Sequence, residues 1–117
     1  MDSETRAAVA YVAGRLVSED NSAYIFDYAR NLYLSLAGTV TPGLVQVYDR
    51  GRLCQISGTS NFFYDFGAKT RVLLHMTDSV FDGYDYNSGF VFQGRVIGPH
   101  VKLFDFEEYR ACGYRLL

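Results

Sequence analysis

The chain has 117 residues and a formal net charge of −2, with 49% hydrophobic and 21% charged residues. This length suits one domain over residues 1–117, and this composition excludes a disordered chain. The Lys and Arg residues are too dispersed for a nucleic-acid footprint, and the apolar runs fall far below the roughly 20 residues that cross a bilayer. We therefore expect a soluble domain with no nucleic-acid or membrane partner.

The first residues allow two interpretations. Residues 3–13 form either a short helix, with Ser3 as its N-cap and Val9 and Val12 facing inward, or a strand that continues into Gly14-Arg15. We favour a helix before about residue 8 and a strand after it. The acidic start lacks the charge pattern of a secretory signal, so the cytoplasm is the default location and leaderless secretion the alternative.

The rest of the chain carries a recurring pattern in which an aromatic residue and Asp are followed by a short turn, Arg and an apolar stretch. Aromatic residues make up 16% of the chain and favour strands. Asp suits the start of a turn, and Gly51, Gly67 and Gly94 suit positive φ in tight hairpins. We predict hairpins at about 23–37, 44–57, 61–76, 88–98 and 100–116.

Residues 78–87 break this pattern and are predicted to be an inserted loop or extra turn. The fold class is therefore all-β, a pseudo-symmetric arrangement of about four to five β-hairpins that is flower- or barrel-like, with a short N-terminal helix as an option. Closure into a ring, a barrel or a sandwich stays open at this stage.

Three segments carry a resemblance to a known family: VYDRGRLCQI, FVFQGRVIG and LFDFEEYRACGYRL. They resemble the hairpins of the small bacterial four-fold β-flower domains, and the first also has the motif of tyrosine-aspartate (YD) repeats. The resemblance covers roughly residues 9–116, although Gln93 replaces the Asp and two turns are longer than the motif. It implies a compact pseudo-symmetric β fold in a bacterial protein, with no known activity and no catalytic residues.

The segment from Asp78 to Asp85 is the first candidate for a binding element. Asp82, Tyr84, Asp85 and Tyr86 provide carboxylates and aromatic rings for contact with a partner, or a weak cation site, although the calcium-loop pattern is absent. A simple solvated turn is the alternative.

Arg52 and Arg95 form a second candidate site. Each Arg either pairs with an Asp beside its own turn or contributes to a rim of guanidinium groups that binds small anions.

Enzymatic chemistry has weaker support. The only histidines are His75 and His100, and no nucleophile motif accompanies them. Cys54 and Cys112 are interpreted as reduced thiols in equivalent hairpin positions, and spacing gives no zinc site. We therefore expect no catalytic residues, no metal and no cofactor.

The sequence thus predicts a non-enzymatic module that binds a protein or a small ligand. One alternative is a small hydrolase or metal-dependent enzyme that uses Asp82 or Asp85 with His75 or His100. The other alternative is a small-anion binder that uses the Arg rim.

Overall fold

The computed structural model describes residues 1–18 and 20–117, and ten strands in that part of the chain close into a barrel. The helix α1 spans Ser3–Ser18. The strands are β1 (Tyr24–Asp27), β2 (Leu32–Thr41), β3 (Leu44–Asp49), β4 (Cys54–Thr59), β5 (Phe62–Asp65), β6 (Thr70–Thr77), β7 (Val80–Asp85), β8 (Phe90–Ile97), β9 (His100–Asp105) and β10 (Arg110–Leu116). Each strand pairs antiparallel with its chain neighbours, and β1 pairs with β10. The mostly-β, barrel-like prediction is confirmed.

The helix α1 runs through the inside of the barrel. Every residue from Thr5 to Arg15 is buried, and α1 contacts strands on different sides of the barrel, including β2, β6 and β9. Small side chains allow this fit, because Ala7, Ala8, Ala10 and Ala13 leave room for the strands around them. A helix that is buried on all faces has no polar stripe, which removes the periodic signal that identifies surface helices.

The prediction for the N-terminal segment is therefore only partly right. The helix before residue 8 is confirmed, but the strand after it is wrong, because the helix continues and Gly14-Arg15 is helical. Ser3 is not the N-cap either. The Asp2 carboxylate accepts the backbone N–H of Glu4 at 3.0 Å, which is the N-cap interaction.

A buried Asp ends the first strand of every hairpin. We call these five residues the aspartate collar: Asp27, Asp49, Asp65, Asp85 and Asp105. Each collar carboxylate accepts a backbone N–H from the second residue of the four-residue turn that follows it. The turn then ends on a residue with φ between 53° and 76°. The predicted role of Asp in the turns is thus observed in all five hairpins.

The glycines do not act as predicted. The residues with positive φ in the turns that follow the collar are Asn31, Leu53, Lys69, Gly89 and Tyr109. The assignment of positive φ to Gly51, Gly67 and Gly94 is therefore wrong. The collar carboxylate and the strand pairing determine the turn, and non-glycine residues accept the left-handed conformation at its end.

The predicted loop at 78–87 and the predicted hairpin at 88–98 are both wrong. The segment 80–85 is strand β7, not an inserted loop, and the predicted hairpin 88–98 is one strand, β8, that pairs with β7. Two glycines inside these strands caused the error. A Cβ at Gly83 would lie 2.4 Å from the Phe92 ring, and a Cβ at Gly94 would lie 2.4 Å from the Phe81 ring. The other four predicted hairpins agree with the strands observed.

The collar also binds the N-terminal end of α1. The Thr5 hydroxyl donates to Asp65 at 2.8 Å, and Arg6 donates to Asp105 at 2.9 Å and to the Tyr114 hydroxyl at 3.1 Å. Burial alone would raise the pKa of Asp105, but the hydrogen bonds from Arg6 and from the Met1 amine hold this pKa below its usual range. The positive end of the helix dipole faces the same carboxylates. The collar therefore fixes the helix relative to the strands.

We expect Asp65→Ala to lower the free energy of unfolding by about 3–5 kcal/mol, because it leaves the half-buried Arg52 and the turn amides without a shared carboxylate. Urea denaturation measures this loss. Asp82→Ala is the matched control, since Asp82 is exposed, and it should change the free energy by less than about 0.5 kcal/mol. Equal losses in the two variants would contradict the structural role of the collar.

A second stability prediction concerns the end of the collar turns. Lys69 has φ 55°, and glycine adopts this conformation without steric cost, so Lys69→Gly should stabilise the protein by about 0.5–1 kcal/mol. The equivalent position of the β7–β8 hairpin is already Gly89, with φ 76°. The reciprocal change Gly89→Lys should destabilise the protein by a similar amount in thermal unfolding. If both variants shift the melting temperature in the same direction, left-handed strain is not the cause.

Candidate functional site

The structure separates the acidic residues of the predicted binding loop. Asp85 lies inside the barrel, 1% exposed, and accepts the Thr70 hydroxyl at 2.8 Å. Asp82 is three positions earlier on the same strand and therefore points to the outer face, where it is exposed. Asp78 lies in the two-residue turn before β7. Within residues 1–18 and 20–117, no group of His, Cys, Asp and Glu has the arrangement of a metal site.

Tyr84 and Tyr86 flank Asp85 on the outside of the barrel. Their rings contact edge to face, with centroids 4.8 Å apart, and Tyr86 is half exposed. Three other collar residues have the same kind of flanking pair, namely Phe26 with Tyr28, Tyr64 with Phe66, and Phe104 with Phe106. These ring pairs account for part of the aromatic excess, and they cover the strand ends next to the buried carboxylates.

The structure does not bring Arg52 and Arg95 together. The Arg52 guanidinium donates to Asp49 at 2.7 Å and to Asp65 at 3.0 Å, so it belongs to the collar end of the barrel. Arg95 lies on the outer face of β8, near the opposite end. A single anion-binding rim that contains both residues is therefore not formed.

The outer face of β6–β10 forms a groove with a volume of 1040 Å³. The strand register places its residues in two rows, each of which crosses the five strands from β6 to β10. The first row is His75, Asp82, Gln93, Phe104 and Ala111, and the second is Thr77, Val80, Arg95, Lys102 and Gly113. Ile97 and His100 extend the groove at one end, and Tyr28 borders it near the collar. We call this surface the β6–β10 groove.

Small residues make this surface concave. Ala111 and Gly113 present little or no side chain on β10, and Gly94 exposes backbone on β8, whereas longer side chains stand on both sides. The Tyr28 ring lies 3.6 Å from the place where a Cβ of Gly113 would be. From strand geometry, the groove is about 13 Å long and about 19 Å wide.

The floor of the groove is uncharged. It consists of the backbone of inward-facing residues such as Phe81, Val101 and Tyr114, whose side chains are 1% exposed and point into the barrel. Burial raises the pKa of the Tyr114 hydroxyl, and the nearby Arg6 offsets only part of this rise. The phenol accepts a hydrogen bond from Arg6 inside the barrel, so it does not face a ligand in the groove. The apolar side chains that a ligand meets are those of Tyr28, Val80, Ile97, Phe104 and Ala111.

The walls of the groove carry unpaired positive charge. Arg95 and Lys102 are direct cross-strand partners, and His100 is the cross-strand partner of Arg115 in the next row. We call these four residues the basic cluster. In the part of the chain that the structure describes, none of its residues lies within ion-pair distance of a carboxylate. Like charges placed directly opposite each other destabilise a sheet, so this arrangement lacks a structural benefit.

His75 and His100, the histidines considered for catalysis, both line the groove. His75 is the cross-strand partner of Asp82, and its Nε2 lies 3.3 Å from the Thr77 hydroxyl. His100 lies at the other side, on β9. The cysteines are elsewhere: Cys112 is buried inside the barrel and Cys54 lies near Arg52, where burial raises the pKa of its thiol. The groove thus contains Asp82 and both histidines, whereas Asp85 and the thiols are excluded from it.

Lys102 and Arg115 were missed as members of the site, and His100 was named only as a catalytic candidate. A local signal for part of this cluster does exist. The turn Gly98-Pro99 contains two residues, and a two-residue turn pairs positions at equal distances before and after it. Arg95 and Lys102 satisfy this relation, so the hairpin alone predicts that they face each other.

Comparisons of the chain with models of known protein families, with curated proteins and with solved structures gave no match. Among the described residues, no helix has the length and apolar character needed to span a membrane.

The opposed basic pair generates a stability prediction. Lys102→Glu places a carboxylate opposite Arg95, so it should stabilise the protein by about 0.2–1 kcal/mol at low ionic strength. The gain should decrease in high salt because the pair is exposed. Arg50→Glu, in an exposed turn on the other side of the barrel, is the control for charge reversal alone and should give no such gain. A loss of stability in Lys102→Glu would show that Lys102 has a structural partner.

Proposed function

We propose that this protein is a non-enzymatic binding module and that it holds its ligand in the β6–β10 groove. The observation that supports the proposal is the combination of a concave surface, apolar side chains such as Val80 and Phe104, and cationic side chains that have no carboxylate partner among the described residues. Ligand sites typically combine an apolar lining with a few convergent polar groups. Stability does not explain the basic residues here, whereas binding does.

The rigidity of the support favours binding as well. The groove lies on five neighbouring strands, each of which is hydrogen-bonded on both sides because the barrel is closed. The helix α1 fills the space behind them. A site on such a scaffold is preorganised, so little conformational entropy is lost when a ligand binds.

Hydrolysis is the second candidate function, and the contact between His75 and Thr77 beside Asp82 is the observation in its favour. Acyl transfer also needs hydrogen-bond donors for the developing oxyanion. The backbone N–H groups of β6 and β7 in this region are engaged in strand pairing, which leaves few donors near Thr77. Release of nitrophenol from a chromogenic ester, abolished by His75→Gln, would favour this candidate over ours.

The resemblance to the four-fold β-flower domains stays a prediction. The chain has five hairpins with Asp at their turns, and the four-fold β-flower domains are also built from small hairpins. This shared unit supports the resemblance. That family provides no activity, so it leaves the binding proposal unchanged.

A fragment screen monitored by two-dimensional ¹H–¹⁵N NMR tests the proposal. We expect the fragments that bind to shift the amide signals of Gln93, Lys102 and Gly113 more than those of β2–β4. Ala111→Trp should abolish these shifts because the indole fills the groove. Gln55→Trp, on the outer face of β4, is the matched control and should leave them unchanged.

Two results would contradict the proposal. One is that fragments shift signals throughout the barrel or on β2–β4 and leave the groove unaffected. The other is that the same fragments still shift the groove signals in Ala111→Trp, which would mean that they do not occupy the groove. The spectra of both Trp variants report whether the barrel remains folded.

A further inference from the structure

We infer that the ligand of the β6–β10 groove is a short acidic peptide segment in an extended conformation. Its carboxylates contact the basic cluster, and an apolar side chain of the peptide packs between Tyr28, Phe104 and Ala111. This inference rests on the proposed function and names the chemistry of the ligand.

Charge complementarity is the first argument. The protein has a net charge of −2, yet the groove and its margin contain Arg95, Lys102 and Arg115, with Asp82 as the one carboxylate in the groove lining. A positive surface on an acidic protein selects a partner with a local concentration of carboxylates. The negative charge elsewhere on the barrel disfavours long polyanions that would extend beyond the groove.

The spacing of the hydrogen-bond donors in the basic cluster fits an extended peptide. Lys102 and His100 are two positions apart on β9, which places them about 6.6–6.8 Å apart along the strand. An extended peptide has the same distance between its alternate side chains, so acidic residues at every second position match the cluster in register. Arg95 and Arg115 lie on each side of this line, about 5 Å away.

The surroundings of the cluster favour a peptide over a compact phosphate. Phosphate sites usually offer converging backbone N–H groups, at helix N-termini or in nests. The backbone around Arg95 and Lys102 is engaged in the strand ladder. Apolar groups next to the cluster also require an apolar part of the ligand, which side chains of a peptide supply and phosphate does not.

The closed barrel determines how such a peptide is recognised. A closed barrel has no edge strand, so the peptide does not add a strand to the sheet, and recognition depends on side chains. Asp82, on the β7 side of the groove, repels acidic residues and confines them to β8–β10. Affinity therefore depends on the pattern of charges and on salt concentration.

Fluorescence anisotropy with labelled synthetic peptides tests the inference. The probe has glutamate at every second position and one leucine, and the matched peptides carry glutamine or lysine in place of glutamate. We expect the glutamate peptide to bind, the other two to bind at least about 10-fold more weakly, and binding to weaken as salt is raised. Lys102→Glu and Arg95→Glu should each reduce the affinity about 10-fold or more, whereas Arg50→Glu should leave it within about two-fold.

Any of the following results would overturn the inference. Equal binding of the glutamate and glutamine peptides would mean that carboxylates are not recognised, and binding unaffected by Lys102→Glu would place the peptide elsewhere. Inorganic polyphosphate or heparin that displaces the peptide at lower concentration would identify a phosphate or sulfate ligand instead. If fragments occupy the groove but the glutamate peptide fails to bind, the inference is wrong while the proposed function stands. Thermal unfolding of each variant separates lost binding from lost folding.

Discussion

The rest of the structure depends on the hydrogen bonds that the five collar carboxylates accept. Each carboxylate lies inside the barrel at the end of a strand and satisfies backbone donors of the turn that follows. A buried carboxylate is costly unless it is paired, and Arg6, Arg30 and Arg52 supply most of the pairing. Because Thr5 and Arg6 of the helix bind the same carboxylates, strand ends, turns and helix are held by one network.

The helix inside the barrel determines how strongly the strands must curve. A helix with small side chains fills the interior, and the strands must curve around it to close. Glycines inside β7 and β8 permit this curvature, since the rings of Phe92 and Phe81 occupy the space that side chains of Gly83 and Gly94 would need. Both glycines face the interior of the barrel, and their missing side chains make room for these rings.

The groove combines features that stability alone does not favour. Arg95 and Lys102 face each other without a nearby carboxylate in the described part of the chain, on strands that cannot move apart. Proteins commonly retain unfavourable contacts of this kind where function requires them. The rigid barrel tolerates the repulsion, and the ligand that we propose would relieve it by placing carboxylates between the two cations.

Sequence alone predicted the strand-rich class, four of the five hairpins and the role of Asp in the turns. These features depend on residues that are neighbours in the chain, such as an aromatic residue, Asp and the turn amides two residues later. The same local patterns misassigned Gly14-Arg15 and Gly94-Arg95, since a two-residue motif does not distinguish a buried helix or a strand interior from a turn.

Three features follow from tertiary packing: the position of the helix inside the barrel, the faces on which Asp82 and Asp85 lie, and the groove. The alternation along β7 was hidden by Gly83, an inward-facing position whose side-chain space is occupied by the Phe92 ring. The groove arises from the register of five strands, and each register is set by side chains that meet inside the barrel. Such contacts join residues far apart in the chain, and for this reason no local pattern contained them.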